Sequence, residues 1–94
     1  MALETTRFDI QDHLKSRDEQ VAYLEAALDE GDPSFIAVAL GDIARARGVT
    51  KLAQEAGISR ETIYKTFRQG GNPTLETISA VTKALGLKLA LVAA

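Results

Sequence analysis

TKLAQEAGISRETIYKTFR, Thr50 to Arg68, is the stretch whose reading decides the fold of this chain. It divides into two short helical patterns around Gly57-Ile58-Ser59. In the first, Leu52, Ala53 and Ala56 recur at the spacing that turns side chains toward a core. Gly57 enters a left-handed backbone conformation with least strain, which suits a helix end. Ser59 then has the chemistry of an N-cap, its hydroxyl oxygen accepting from a backbone N–H two or three residues on. The second pattern buries Ile63 and Phe67 and leaves Arg60, Thr62, Lys65 and Arg68 outside, a set suited to phosphates and base edges. Ala53 keeps the crossing of the two helices close. The order Ala53, Gly57, Ile63 is that of a helix-turn-helix whose second helix does the reading. A plain corner between two helices of a small helical protein also needs a glycine and a cap. On these residues alone both readings stand.

Outward from this stretch, charge is unevenly spread. The net charge is only −2. Yet residues 1–42 hold ten acids and three bases, while residues 43–94 hold three acids and eight bases. The halves therefore face different partners, or only the second meets phosphate; acids crowding solvated helix faces is the plainer alternative. Apolar residues make up 46% of the chain but aromatics only 5%, so the core is built from Leu, Ile, Val and Ala, which favours helices. At 94 residues the chain suits one modest domain, expected over 9–94, preceded by an arm at 1–8. With no cysteine, neither a disulfide framework nor a thiolate metal site is available. No apolar run spans a membrane, and MALETTRFDI lacks a secretory pattern, so the expectation is a soluble cytoplasmic protein.

Towards the N-terminus, Phe8 and Ile10 are candidates to dock on the core, and Asp9 to cap a short helix through Leu14. Ser16 and Glu19 have capping-box spacing. Val21, Leu24 and Leu28 then recur at helical spacing, with Tyr23 and Ala27 beside them, until Gly31 ends that helix. Asp32-Pro33 starts the next helix, to about Arg47, burying Phe35 or Ile36, Ala39, Leu40 and Ile43. Gly41 lies inside it at a cost of about 1 kcal/mol against alanine, so a close neighbour is expected there. Arg45 and Arg47 complement the dipole at its end. Thr50 is expected to open the motif as a cap. After the motif, Gly70-Gly71-Asn72-Pro73 is a loop and Thr74 caps a last helix carrying Ile78, Val81 and Leu85. The tail from Leu87 to Val92 alternates apolar residues and is expected to form a short β-strand, paired with a second copy or with the N-terminal arm.

No catalytic constellation is found. His13 is the one histidine, which speaks against a zinc site, and no phosphate-cradling glycine-lysine pattern occurs. The chain is expected to be no enzyme and to need no metal or cofactor.

The segment ARARGVTKLAQEAGISRETIYKTFRQGGNPTLETISAVTKALGLKL resembles the lambda-repressor-like (Xre-type) helix-turn-helix domains. Together with FDIQDHL, YLEAALDEGDP and ALGDIARARG, it is most similar to the probable addiction-module antidote proteins, a HigA-like branch of antitoxins. The likeness runs from about Phe8 to Leu89. It implies an all-α bundle of about five helices that binds operator DNA as a homodimer. It also implies an operon partner, a small basic mRNA-cleaving toxin that the antitoxin neutralises while repressing their shared promoter. A stand-alone regulator without a toxin is one alternative; an interaction adaptor that does not bind DNA is another.

In such a domain the first turn of the reading helix reaches deepest into the major groove. Arg60 is then the candidate for bidentate contact with guanine, against a phosphate contact or pairing with Glu61. Thr62 meets a thymine methyl or a phosphate. Tyr64 meets the backbone through its hydroxyl, or packs on the preceding helix. Lys65 and Arg68 supply sequence-blind phosphate attraction. Ser59 is a cap first and a phosphate donor second. Phage-type repressors carry a glutamine where Val49 stands, so Thr50 and Lys51 take over its phosphate contact. Thr66 occupies the late apolar position of the reading helix, so either that helix is rotated or Phe67 takes over the packing. Leu87, Leu89 and Leu91 are the candidate dimer strand, and Glu25, Asp29 and Glu30 the candidate toxin contacts.

Overall fold

Ser16 accepts from the Glu19 N–H while the Glu19 carboxylate accepts from the Ser16 N–H, a reciprocal cap that starts the first helix. The computed structural model describes residues 14–94, which form five helices. These are α1 (Arg17–Glu30), α2 (Pro33–Arg47), α3 (Val49–Ala56), α4 (Arg60–Thr66) and α5 (Leu75–Ala84). The expected arm, the docking of Phe8 and Ile10, the cap at Asp9, and His13 all lie outside the described residues.

α2 is the central element. Asp32 caps it through the Ser34 N–H, with Pro33 at its first position. From Ala39 to Ala44 every residue is buried, so this helix is enclosed on all sides. α1, α3 and α4 each pack on it, and α5 packs on α3. Leu40, Ile43, Leu52, Ile63, Phe67, Val81 and Leu85 form the middle of the core. Ile36 packs against this core, whereas Phe35 is half exposed.

Buried polar groups tie the helices together. Asp42 is 0% exposed and accepts from the Tyr23 hydroxyl at 2.6 Å, joining α2 to α1. Its second carboxyl oxygen lies 4.0 Å from the Arg45 guanidinium. Arg47 lies 3.5 Å from Glu55 and donates to the Ala84 carbonyl, so it links three helices besides complementing a dipole.

The helical spacing in α1 places Leu24 in the core, with Tyr23 and Ala27 packed against it. Gln20 and Leu24 are its buried residues, Val21 is half-buried and Leu28 is 53% exposed. Gln20 goes inside because its amide donates to the Leu14 carbonyl at 2.9 Å. Two expectations need correction. Thr50 does not cap α3, which begins one residue earlier; Gly48 is the cap and its carbonyl accepts from Leu52. The tail forms no strand among the described residues. Leu87 instead closes α5, its N–H reaching the Thr82 carbonyl while Gly86 reaches Lys83, a paired C-terminal cap that draws Leu87 onto the core. Beyond it no strand pairs with the tail among the described residues.

Candidate nucleic-acid interface

Gly57 has φ 73°, in the left-handed region, and its N–H donates to the Ala53 carbonyl at 2.9 Å. The Ile58 N–H reaches the same carbonyl at 3.1 Å. α3 thus ends in one tight turn, with Ile58 packed against the core. Ser59 is extended and its hydroxyl accepts from the Thr62 N–H at 3.0 Å, so the cap falls three residues on. It also exchanges a hydrogen bond with the Thr62 hydroxyl at 2.9 Å. Ser59→Ala is expected to cost about 1 kcal/mol, within the usual 0.5–2 kcal/mol for a lost cap. Urea unfolding followed by circular dichroism measures this, and an unchanged midpoint would leave the cap without energetic weight.

Only Ile63 within α4 is buried, and Phe67 just past its end is 1% exposed. Thr66 donates its hydroxyl to the Thr62 carbonyl at 2.7 Å and so turns back on its own helix. Phe67 takes over the packing that an apolar residue at 66 would supply. The remaining face of α4 is open: Arg60, Glu61, Tyr64 and Lys65 are exposed, Tyr64 by 50%, and Arg68 follows, exposed, with its guanidinium on the Gln69 carbonyl. Ser59, Thr62, Tyr64, Lys65 and Glu61 line one shallow recess.

Thr50 and Lys51 are exposed in the first turn of α3. The Arg60 guanidinium donates to the Thr50 hydroxyl at 3.3 Å, bringing the starts of α3 and α4 together. Sequence spacing offered no sign of this pair, ten residues apart across the turn. Four cations, Lys51, Arg60, Lys65 and Arg68, share α3, α4 and their edge with two acids. Of these, Glu55 is drawn to Arg47, which leaves Glu61 as the acid beside Arg60. The surface is therefore positive although the whole chain is not.

The other two candidate groups lie elsewhere. Glu25 and Asp29 border a groove between α1 and the tail, while Glu30 is exposed outside it. Leu87 and Leu89 line the same groove, whereas Leu91 is 100% exposed and outside it.

Five helices packed about a central, buried α2, with a tightly turned pair presenting a cationic face, define a small all-helical domain. The chain belongs to the family described as "probable addiction module antidote protein", whose family model matches residues 4–93. It is similar to a protein of Haemophilus influenzae described only as uncharacterized, with 48% identity over 81 residues, 86% of this chain and 84% of that one. No solved structure matches it. Membership of an antidote family implies a toxin as partner. Among the described residues no helix is long and apolar enough to cross a membrane.

Proposed function

We propose that this chain is the antitoxin of a toxin–antitoxin module: a cytoplasmic, non-enzymatic protein that represses its own operon by binding DNA through α3 and α4 and neutralises a small mRNA-cleaving toxin. The observation that carries the DNA-binding part is the α3–α4 pair. It combines a tight glycine turn, a capped second helix and an exposed cationic face around Arg60, which supports reading the pair as a lambda-repressor-like (Xre-type) helix-turn-helix.

Arg60 is the residue on which recognition most depends. Its guanidinium is already oriented by Thr50, so less side-chain freedom is lost on binding. Ser59, Thr62 and Tyr64 frame the same face, and Thr50, Lys51, Lys65 and Arg68 attract phosphates. A module this small reads a site best as a homodimer across two half-sites about one helical turn apart. Leu91, fully exposed in the tail, is the tail residue best placed to meet a second copy, and Leu87 and Leu89 serve the dimer only if they leave their groove.

Fluorescence anisotropy with the promoter fragment upstream of this chain's own operon tests the reading. Wild type is expected to prefer that fragment over a scrambled duplex, with affinity falling as salt rises. Arg60→Ala is expected to lose about 1–3 kcal/mol of binding and to relax the preference, while keeping its unfolding midpoint. Absence of binding at low salt, with and without the neighbouring gene's product, would replace this reading with that of an adaptor. DNA binding with no toxin-like neighbour would make it a stand-alone regulator.

A further inference from the structure

The chain carries a second open surface, far in sequence from the α3–α4 face. α1 and the tail enclose a groove of about 610 Å³. Val21, Leu24 and Leu28 supply one wall, and Leu87, Leu89 and Val92 the other. Leu28, Leu89 and Val92 are 53%, 48% and 90% exposed, three large apolar side chains gathered at one place. Scattered apolar residues are ordinary on a surface, but a gathered and grooved set marks a contact site. After Leu87, no backbone hydrogen bond within the chain holds the tail among the described residues, so this wall can adjust to an occupant.

Charge selects the occupant. Asp18, Glu25 and Asp29 are spaced by seven and four residues, which stacks them into one ridge along α1. Glu25 and Asp29 form the rim of the groove, faced by Lys88 on the tail. Across Arg17–Glu30 there are five acids and one base. Two copies meeting through this face about a two-fold axis would set like ridges together, which opposes self-pairing. Phosphate is repelled for the same reason. The complementary occupant is a cationic amphipathic segment, its apolar side laid into the groove and its lysines or arginines against Glu25 and Asp29.

We infer that the groove between α1 and the tail is the docking site for such a cationic amphipathic segment of the toxin, the partner required by the antitoxin function proposed above. No residue of α3 or α4 lines the groove, so the groove and the α3–α4 face belong to separate elements. Both can be occupied at once.

The test measures affinity for the small protein encoded beside this chain's gene, by isothermal titration calorimetry, using the full chain. Four proteins are compared: wild type, Leu28→Glu, the pair Glu25→Lys with Asp29→Lys, and Glu30→Lys. All four positions are exposed, so thermal unfolding is expected to match wild type and to certify folding. Leu28→Glu and the double reversal are each expected to weaken binding roughly tenfold or more. Glu30→Lys, outside the groove, is expected to bind as wild type does, and all four are expected to retain any affinity for operator DNA. Wild-type binding left intact by Leu28→Glu and by the reversal would overturn the groove while leaving the antitoxin function standing. No binding by wild type would overturn that function and the occupant with it. Retained partner binding with a dimer lost in Leu28→Glu, seen by light scattering, would assign the groove to a second copy instead.

Discussion

Phe67→Ala is expected to lower the free energy of unfolding by about 3–5 kcal/mol, the usual cost of deleting a fully buried aromatic ring. Phe67 is 1% exposed and sits in the cluster that also holds Leu40, Ile43, Leu52 and Ile63. Two effects add. The apolar surface of the ring loses its burial, and the core around α2 is too enclosed to collapse into the space. A domain of this size has only about 5–15 kcal/mol of stability in total, so the variant sits near the edge of folding. The melting temperature should fall by about 4–8 °C for each kcal/mol lost. Urea and thermal unfolding both read the effect. A loss below about 1 kcal/mol would mean the ring is not part of the packed core.

The consequence reaches the candidate interface. α4 has seven residues and one buried side chain of its own, so intrinsic helix propensity cannot hold it. Its order comes from Ile63, from the Ser59 cap and from Phe67, whose N–H donates to the Ile63 carbonyl at 2.9 Å and closes the helix. Phe67→Ala should therefore lose DNA binding and stability together, whereas Arg60→Ala should lose binding alone. That contrast separates a residue that holds the proposed reading helix from one proposed to read through it.

Most of the helical frame is legible in local chemistry. Ser16, Asp32, Ser59 and Thr74 each cap a helix, and Gly31, Gly57 and Gly86 each follow one. These signals act over three or four residues, so the sequence carries them whole. The buried polar residues are illegible for the opposite reason. Gln20 and Asp42 look like surface residues until their partners are known, and those partners, the Leu14 carbonyl and Tyr23, are six and nineteen residues away. The same holds for the Thr50–Arg60 pair, which exists only once the turn has folded. The tail misleads because its alternation is real but pairing is a property of two segments. Leu87 is taken up by the cap of α5, and from Lys88 on no second strand pairs with the tail among the described residues. The acids of α1 show what a helix adds to a charge count. Glu25, Asp29 and Glu30 are neighbours in sequence, yet only the first two border the groove.

Gly41→Ala sets two known effects against each other, and their sizes decide the sign. In an isolated helix the change would stabilise by about 1 kcal/mol, because alanine is the better helix former. In this fold the added Cβ would overlap the Phe67 carbonyl oxygen and come within 3.2 Å of its carbonyl carbon. It would also lie 3.1 Å from the Arg45 guanidinium, which can swing away; backbone cannot. Phe67 is pinned twice, by its buried ring and by its N–H bond to Ile63. Overpacking against such a group costs about 3 kcal/mol, the upper end of the usual range. The clash therefore wins, with an expected net loss of about 2 kcal/mol. Relief requires the end of α4 to move away from α2, and that displaces Arg60 and Tyr64 from the surface they share. DNA affinity should thus fall even at temperatures where the variant remains folded, which anisotropy below the melting transition can measure. A variant that melts higher than wild type would show that helix propensity outweighs the contact, and that α2 and α4 do not meet this closely in solution.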